Sequence, residues 1–379
     1  MMKRYLSDPI QPFLNKKIVL LMGPRQVGKT TLAQSLKSNF AYYDYDIKKD
    51  VRVFLRNEWN REPELVIFDE LHKMKKWKLW LKGIYDEGAL KSQKFLVTGS
   101  ARLDVAKKMG DSLAGRFFSF RLHPLDLKEL KGQHSAQENY KKLLNLGGFP
   151  EPFFEGSEKY YQIWRKTHLD LILRQDLLSL ESIRDIDGIE VLVQLLSERV
   201  QSCISINSLA RDLDRDDKTI KRWLQVLENL YVVFKVPPKT KNIARGIKKS
   251  AKYYFYDLAR VDGNEDAKLE NLVALSLKKE IEFLQDTQGE QLELFYARTK
   301  DQKEIDFFIE RKKKNPLLIE VKTSAGNVSA NFNLLQKFFP QGKCIQLVKN
   351  LERNYVSKNN VKVTSALDFL ESLSLEKEP

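Results

Sequence analysis

One eight-residue stretch constrains this chain more than any other. Gly23 to Thr30 read GPRQVGKT, a match to G-x-x-x-x-G-K-[ST], set between an apolar run at Lys17–Met22 and a helical pattern carrying Leu32, Ala33 and Leu36. Strand, glycine-rich turn and helix are the context in which this spacing builds an anion cradle. Gly23 and Gly28 let the backbone curl so that its N–H groups face a phosphate, and the helix N-terminus adds a favourable dipole. Lys29 is expected to reach β- and γ-phosphates, and the Thr30 hydroxyl to ligate Mg²⁺. Pro24, Arg25, Gln26, Val27 and Thr31 complete the expected phosphate-binding segment.

Two further apolar runs follow. Leu65–Phe68 ends in Asp69-Glu70, and Phe95–Val97 ends in Thr98-Gly99-Ser100. Strands alternating with helices predict an α/β fold with a parallel sheet covered on both faces. The second strand would deliver Asp69 to the metal side of a nucleotide and Glu70 to the attacking water. Asp-Glu alone suits an ordinary helix start; beside the first motif it reads as a catalytic pair. Ser100 or Thr98 could meet the γ-phosphate or the water, or merely cap a strand end. Arg116, in GDSLAGRFF, could reach a neighbouring subunit's nucleotide and stabilise transition-state charge. Arg102 competes for that role, and a solvated or salt-bridged arginine fits the spacing equally well.

Composition sets the outer limits. The chain has 379 residues, 42% hydrophobic and 31% charged, which excludes a wholly disordered polymer. At roughly 100–200 residues per domain, two to four domains are expected. Lys plus Arg number 65 against 51 Asp plus Glu, a net charge of +14 that suits a polyanionic partner without proving one. Cys203 and Cys344 lie far apart and there are 4 histidines, so neither a disulfide framework nor a zinc spacing can be written. The strongly apolar run near the start, Ile18 to Met22, is far short of the about 20 residues of a membrane helix. The N-terminus lacks a secretory apolar core. A cytoplasmic protein with no membrane contact is expected.

Downstream, the polar block Lys131–Asn139 reads as a linker, GGFPEPF as a turn, and about Tyr160 to Leu180 as a helix. Three helices and two strands are predicted between Ile189 and Asp257, with strands at Tyr231–Val236 and Tyr253–Tyr256. Leu209, Ala210 and Leu213 give the second helix an apolar face, and Asn207 is its candidate cap. Ile220, Trp223, Leu224, Leu227 and Leu230 share one face of the third. This is helix-turn-helix spacing, with Lys218, Lys221, Arg222 and Gln225 facing outward toward phosphates or bases. Asp212, Asp214, Asp216 and Asp217 would repel DNA at the same end. Between the strands lie Lys235, Lys239, Lys241, Arg245, Lys248, Lys249 and Lys252, with no acidic residue. Such a basic loop suits nucleic-acid backbone contact; a solvated loop or docking module is the plainer reading. In the last third, Asp306 and Glu320 are each borne on a predicted strand. Period-two alternation places Glu320 and Lys322 on one face. With Glu270 from the preceding helix they could gather around Mg²⁺, Lys322 orienting water rather than ligating. A salt-bridged strand edge is the competing reading.

The strings GPRQVGKTTL, the DEL strand end, VTGSARLD and SLAGRFFSFRLHPLDLKEL together resemble prokaryotic AAA-type ATPases that carry a carboxy-terminal domain of unknown function. GGFPEPF, LARDLDRDDKTIKRWLQVLENLYVVFKVPP, YFYDLAR, KLENLVA, EIDFFIE and LLIEVKTS extend the resemblance over most of the chain. It implies ATP with Mg²⁺ as ligands, Arg116 as the finger and Ser100 as the sensor. It also implies a P-loop ATPase core at 1–130, a helical lid or linker at 131–186, a winged helix at 187–261 and a restriction-endonuclease-like α/β domain at 262–379. The D…E-x-K order of Asp306, Glu320 and Lys322 resembles that nuclease motif. The expected function is ATP hydrolysis coupled to binding or processing of DNA or another nucleic acid, in a homo-oligomer. The alternative is an ATP-gated switch or scaffold whose nuclease-like domain only binds.

Overall fold

The computed structural model describes residues 2–99, 113–177, 185–239, 250–299, 303–312, 314–324 and 326–376. Its first layer is a five-stranded sheet of β1 (Ile18–Met22), β2 (Phe40–Asp44), β3 (Leu65–Asp69), β4 (Lys94–Gly99) and β5 (Phe117–Arg121), in the order β2-β3-β4-β1-β5. Every neighbouring pair is parallel. The reason lies in the side chains: β1 and β3 are buried at every position. Val19, Leu21, Leu65, Ile67 and Leu96 fill one core, while Ile18, Leu20, Val66, Phe68, Phe95 and Val97 fill another. Alternate residues thus face opposite layers, and continuous apolar runs serve both faces. The sequence pattern does not reveal β2 or β5; both are only partly buried edge strands.

The block expected to be a linker is not one. Ser135 caps the helix Ala136–Leu146, accepting from Glu138 N, while the Glu138 carboxylate accepts from Ser135 N. This S-x-x-E capping box pins the helix start inside the polar stretch. The helix predicted from Tyr160 starts earlier, at Glu158, under a Ser157 cap; its α-helical part ends at Leu171 and passes into π-helical turns over Ile172–Leu177.

Helices Ile186–Glu198, Ile206–Asp212 and Asp217–Asn229 then lead into an antiparallel ribbon of β6 (Val233–Val236) and β7 (Lys252–Phe255). Ser205, not Asn207, caps the second helix, because the chain turns two residues earlier than expected. Asp216 caps the third, accepting from Lys218 N and Thr219 N. Ile220, Trp223, Leu224, Leu227 and Leu230 are buried, as their spacing requires.

The last layer is a six-stranded sheet ordered β12-β13-β11-β10-β9-β8. Its strands are β8 (Leu292–Arg298), β9 (Glu304–Arg311), β10 (Leu317–Ser324), β11 (Lys343–Asn350), β12 (Tyr355–Val356) and β13 (Val361–Ser365). The 24-residue helix Glu265–Gln288 packs on it and also on β5 of the first sheet. Arg121 of β5 pairs with Asp286 at 2.6 Å, and buried His123 meets Glu282 at 2.6 Å. One core cluster runs from Leu125 to Leu375 without a break between segments. Among the described residues no helix is long and apolar enough to cross a membrane.

Candidate nucleotide site and carboxylate cluster

The chain leaves β1 through a turn that only glycine can make. Gly23 has φ +150°, and a Cβ there would lie 2.2 Å from the Leu122 carbonyl oxygen. Gly28 closes the loop at φ +95° and caps the helix Lys29–Ser35. Lys29 is buried, its Nζ donating to the carbonyls of Gly23 at 3.0 Å and Pro24 at 2.7 Å. An ammonium folded onto loop carbonyls inside such a curl is a donor that an entering phosphate can recruit. The residues present fit a phosphate chain.

The side expected to face a metal is assembled by strand register. Asp69 ends β3 beside Asp44 of β2, and its carboxylate collects three hydroxyls. Thr30 Oγ1 donates at 2.6 Å, Tyr42 Oη at 2.8 Å, and buried Thr98 also donates to it. Thr30 and Asp69 are therefore already in contact, close enough to serve one Mg²⁺. Glu70 follows in the left-handed region, φ 52°. Burial pushes its carboxyl above the usual range, while Lys29 and Lys73 pull the other way. His72 and Lys73 lie 3.6 and 3.7 Å from its Oε2. Ser100 and Arg102 lie outside the described residues.

Arg116 sits at the other end of the sheet. Its carbonyl accepts from Ile18 N where β1 begins, whereas the phosphate loop lies where β1 ends. A strand of that length separates the two edges by about 16 Å. Arg116 pairs with Asp86, Nε to Oδ1 at 2.8 Å.

Two residues outside the motif, Arg4 and His168, bond to carbonyls of the loop, and sequence reasoning missed them. Arg4 Nη1 donates to the Val27 carbonyl at 2.7 Å and Nη2 to the His123 carbonyl at 2.6 Å. Its Nε pairs with Glu129 at 2.6 Å, and Glu129 takes Lys279 Nζ from the long helix at 2.6 Å. Burial opposes the Glu129 charge, but Lys279 and Arg4 outweigh it and lower that carboxyl below its ordinary range. His168 Nε2 donates to the Arg25 carbonyl at 3.2 Å, its ring stacked 4.4 Å from Trp164. A Cβ at Gly28 would meet Pro150 Cγ at 3.8 Å, so the GGFPEPF turn also flanks the loop.

In the carboxy-terminal third, Asp306, Glu320, Lys322 and Glu270 are brought together. The β9–β10 ladder pairs Ile319 with Phe307, and beyond it Asp306 Oδ2 accepts from Val321 N at 2.9 Å. Lys322 Nζ lies 2.9 Å from Glu320 Oε1. Burial, then Asp306, pushes the Glu270 and Glu320 carboxyls up to about 7. A residue from another segment joins them. Lys252, 1% exposed, places Nζ 3.1 Å from Glu270, 2.7 Å from Glu304 and 3.5 Å from Asp306. Tyr254, two residues on along β7, donates to Glu270 at 2.6 Å. The parity of Lys252 and Tyr254 was the available signal; the surrounding basic run hid it. Among the described residues no group of three or more His, Cys, Asp or Glu is arranged to hold a metal ion.

The expected basic loop is accordingly smaller. Lys252 is buried, Lys235 pairs with Glu228 at 3.5 Å, and Lys239 pairs with Glu310 at 2.6 Å. Lys241, Arg245, Lys248 and Lys249 lie outside the described residues. Lys218, Lys221, Arg222 and Gln225 are exposed, as their helical spacing predicts.

A family profile described as an AAA domain matches residues 15–131. Two others, each described as a domain of unknown function, match residues 137–261 (DUF8612) and 265–369 (DUF4143). An uncharacterized protein of Methanocaldococcus jannaschii is 27% identical over 334 residues, 77% of this chain and 72% of its own. An uncharacterized protein of Mycobacterium tuberculosis is 27% identical over 330 residues, 82% of this chain and 72% of its own. Among solved structures, a RuvB variant of Thermotoga maritima aligns at a TM-score of 0.32 and 16% identity, covering 61% of this chain and 87% of that one, a likeness too loose to bear on function. Residues 15–131 therefore form an AAA-type domain on a parallel α/β sheet.

Proposed function

We propose that the AAA-type domain binds ATP with Mg²⁺ and hydrolyses it, and that the remaining domains respond to the nucleotide rather than act as a separate enzyme. The observation that carries this reading is the Thr30–Asp69 contact, 2.6 Å long, directly beneath the Lys29 cradle and one residue before Glu70. Loop N–H groups and Lys29 would hold the phosphates. Thr30 and Asp69 would hold Mg²⁺, which when bound neutralises charge on the β- and γ-phosphates. Glu70 is buried enough to be more basic than a solvated carboxylate, the property wanted in a group that takes a proton from water. Thr98 holds Asp69 in place. Arg116, too distant to serve its own site, would serve a neighbouring copy.

Support for a response elsewhere comes from Arg4 and Glu129. Arg4 binds a carbonyl of the phosphate loop, Glu129 binds Arg4, and Lys279 of the long helix binds Glu129. A loop that reshapes around phosphate must pull on this chain of charges. Comparing release of phosphate by the wild type, Lys29→Ala and Glu70→Gln tests the core of the proposal. Equal turnover in all three would dismiss it. A second reading, nucleic-acid contact through Lys218, Lys221 and Arg222, is favoured by their exposure on the third helix of the helix-turn-helix arrangement. Backbone contacts of this kind weaken steeply with salt.

A further inference from the structure

The carboxylates of the last domain pose a specific question, because a cation is already among them. Glu270 comes from the long helix, Glu304 and Asp306 from β9, and Glu320 from β10. Lys252 comes from β7, in the preceding ribbon. An ammonium has three donors. Here three carboxylates stand within ion-pair distance of it, at 2.7, 3.1 and 3.5 Å. Burial works against a charged lysine, yet Glu270, Asp306 and Glu304 overcome it and hold this one above its ordinary range.

A divalent cation asks for something different. Mg²⁺ needs oxygen ligands at roughly 2.0–2.1 Å in near-octahedral order. Glu270 and Asp306 are instead spaced around an ammonium at ion-pair distance, 3.1 and 3.5 Å. Glu320, 4% exposed, is held by Lys322 through one oxygen, while its Oε2 has no hydrogen-bond partner. Among the described residues it is the one fully buried oxygen of these carboxylates without a hydrogen-bond partner. Placing Mg²⁺ here would require Lys252 to leave, and a buried lysine stripped of its partners is strongly destabilising. The residues present do not fit a resident divalent ion while the ribbon is docked.

We propose that Lys252 occupies the cation position of this cluster, so that the ribbon and a divalent metal exclude one another. The cluster then works as a latch between the ribbon and the six-stranded sheet. It takes up metal only when the lysine is removed or withdrawn. The inference does not depend on the reading of the phosphate loop, and its test needs no nucleotide.

The test uses the full-length chain and Mn²⁺ alone, with free Mn²⁺ followed by electron paramagnetic resonance. Wild type and Asp306→Asn are expected to retain the same small amount of Mn²⁺, because the cluster contributes none. Lys252→Ala is expected to retain one additional Mn²⁺ per chain, at least tenfold tighter than wild type, and Lys252→Ala combined with Asp306→Asn to lose it. A wild-type Mn²⁺ site that disappears in Asp306→Asn overturns the proposal, as does a folded Lys252→Ala chain that gains no metal. Should Lys252→Ala fail to fold, the wild-type and Asp306→Asn pair still decides, and Lys252→Arg, which keeps the charge, is expected to fold and bind no additional metal.

Discussion

In the proposed function Lys29, Thr30 and Glu70 would divide one task among three chemistries: a point charge, a hydroxyl and a base. Lys29 rests on two loop carbonyls, so its ammonium is already desolvated and aimed into the loop. Lys29→Ala removes the only side-chain cation in the GPRQVGKT motif besides Arg25 and is expected to abolish measurable ATP binding by titration calorimetry. Glu70→Gln keeps the shape and loses the base. ATP binding is expected to survive and turnover to fall by about 100-fold or more, within the span of general base contributions. Arg4 belongs to a different class, a positioning residue buried between the loop and Glu129. Arg4→Ala leaves Glu129 with Lys279 but deprives the Val27 and His123 carbonyls of their donor. Removing one partner of a buried pair costs about 3–5 kcal/mol. A urea melt of Arg4→Ala with stability within 1 kcal/mol of wild type, to within about the error of such melts, would show that the contact is ornamental.

Elements differ in how much of themselves they reveal. The strand–loop–helix unit was legible because its motif is local: β1, Gly23, Gly28 and Lys29 adjoin in sequence. β2 and β5 were not, since partly buried edge strands lack the unbroken apolar run that marks β1 and β3. The Ser135–Glu138 capping box was written in the sequence and was masked by the polar residues around it. Glu320 and Lys322 could be grouped from strand parity, and Asp306 added to them as an acid borne on another predicted strand. Lys252 could not, because its partners lie 18 to 54 residues away and its neighbours in sequence are basic. His168 was equally hidden. Its helix brings it to the Arg25 carbonyl, and burial, with Arg260 adding to it, pushes the imidazole from 6.5 down to about 3. Between those values the unfolded chain binds a proton that the folded chain refuses, so this residue's contribution rises with pH and is complete above 6.5. Wild-type stability relative to His168→Gln is therefore expected to increase from pH 4 toward about pH 6.5 and then level off. Denaturant midpoints of both proteins across that range check it; a constant difference would mean that the buried imidazole does not titrate as argued.

Across the whole molecule, the decisive geometry is the separation of Arg116 from the phosphate loop. Parallel strands put all their C-terminal ends on one edge of the sheet, where Gly23, Asp69 and Thr98 converge. Arg116 precedes β5 and lies at the opposite edge, beside the start of β1. With about 16 Å of sheet between them, no rotamer carries its guanidinium to the phosphate loop of its own chain. Its present partner, Asp86, belongs to the helix Trp77–Asp86 that follows β3. That pair is solvent-exposed, so water screens it and its net worth is small, and a phosphate of a second copy can compete for the arginine. Hydrolysis is therefore expected to depend on assembly. Specific activity should climb with protein concentration until the oligomer is complete. Arg116→Ala should lower turnover by about 1000-fold or more, the usual scale for an arginine finger, with little change in ATP affinity. Asp86→Ala supplies the converse: it removes one intramolecular partner of Arg116 without touching the phosphate loop, so activity should hold or rise. Turnover that ignores both substitutions, in a protein shown by sedimentation to be monomeric at every concentration, would make Arg116 a surface ion pair and the site self-sufficient.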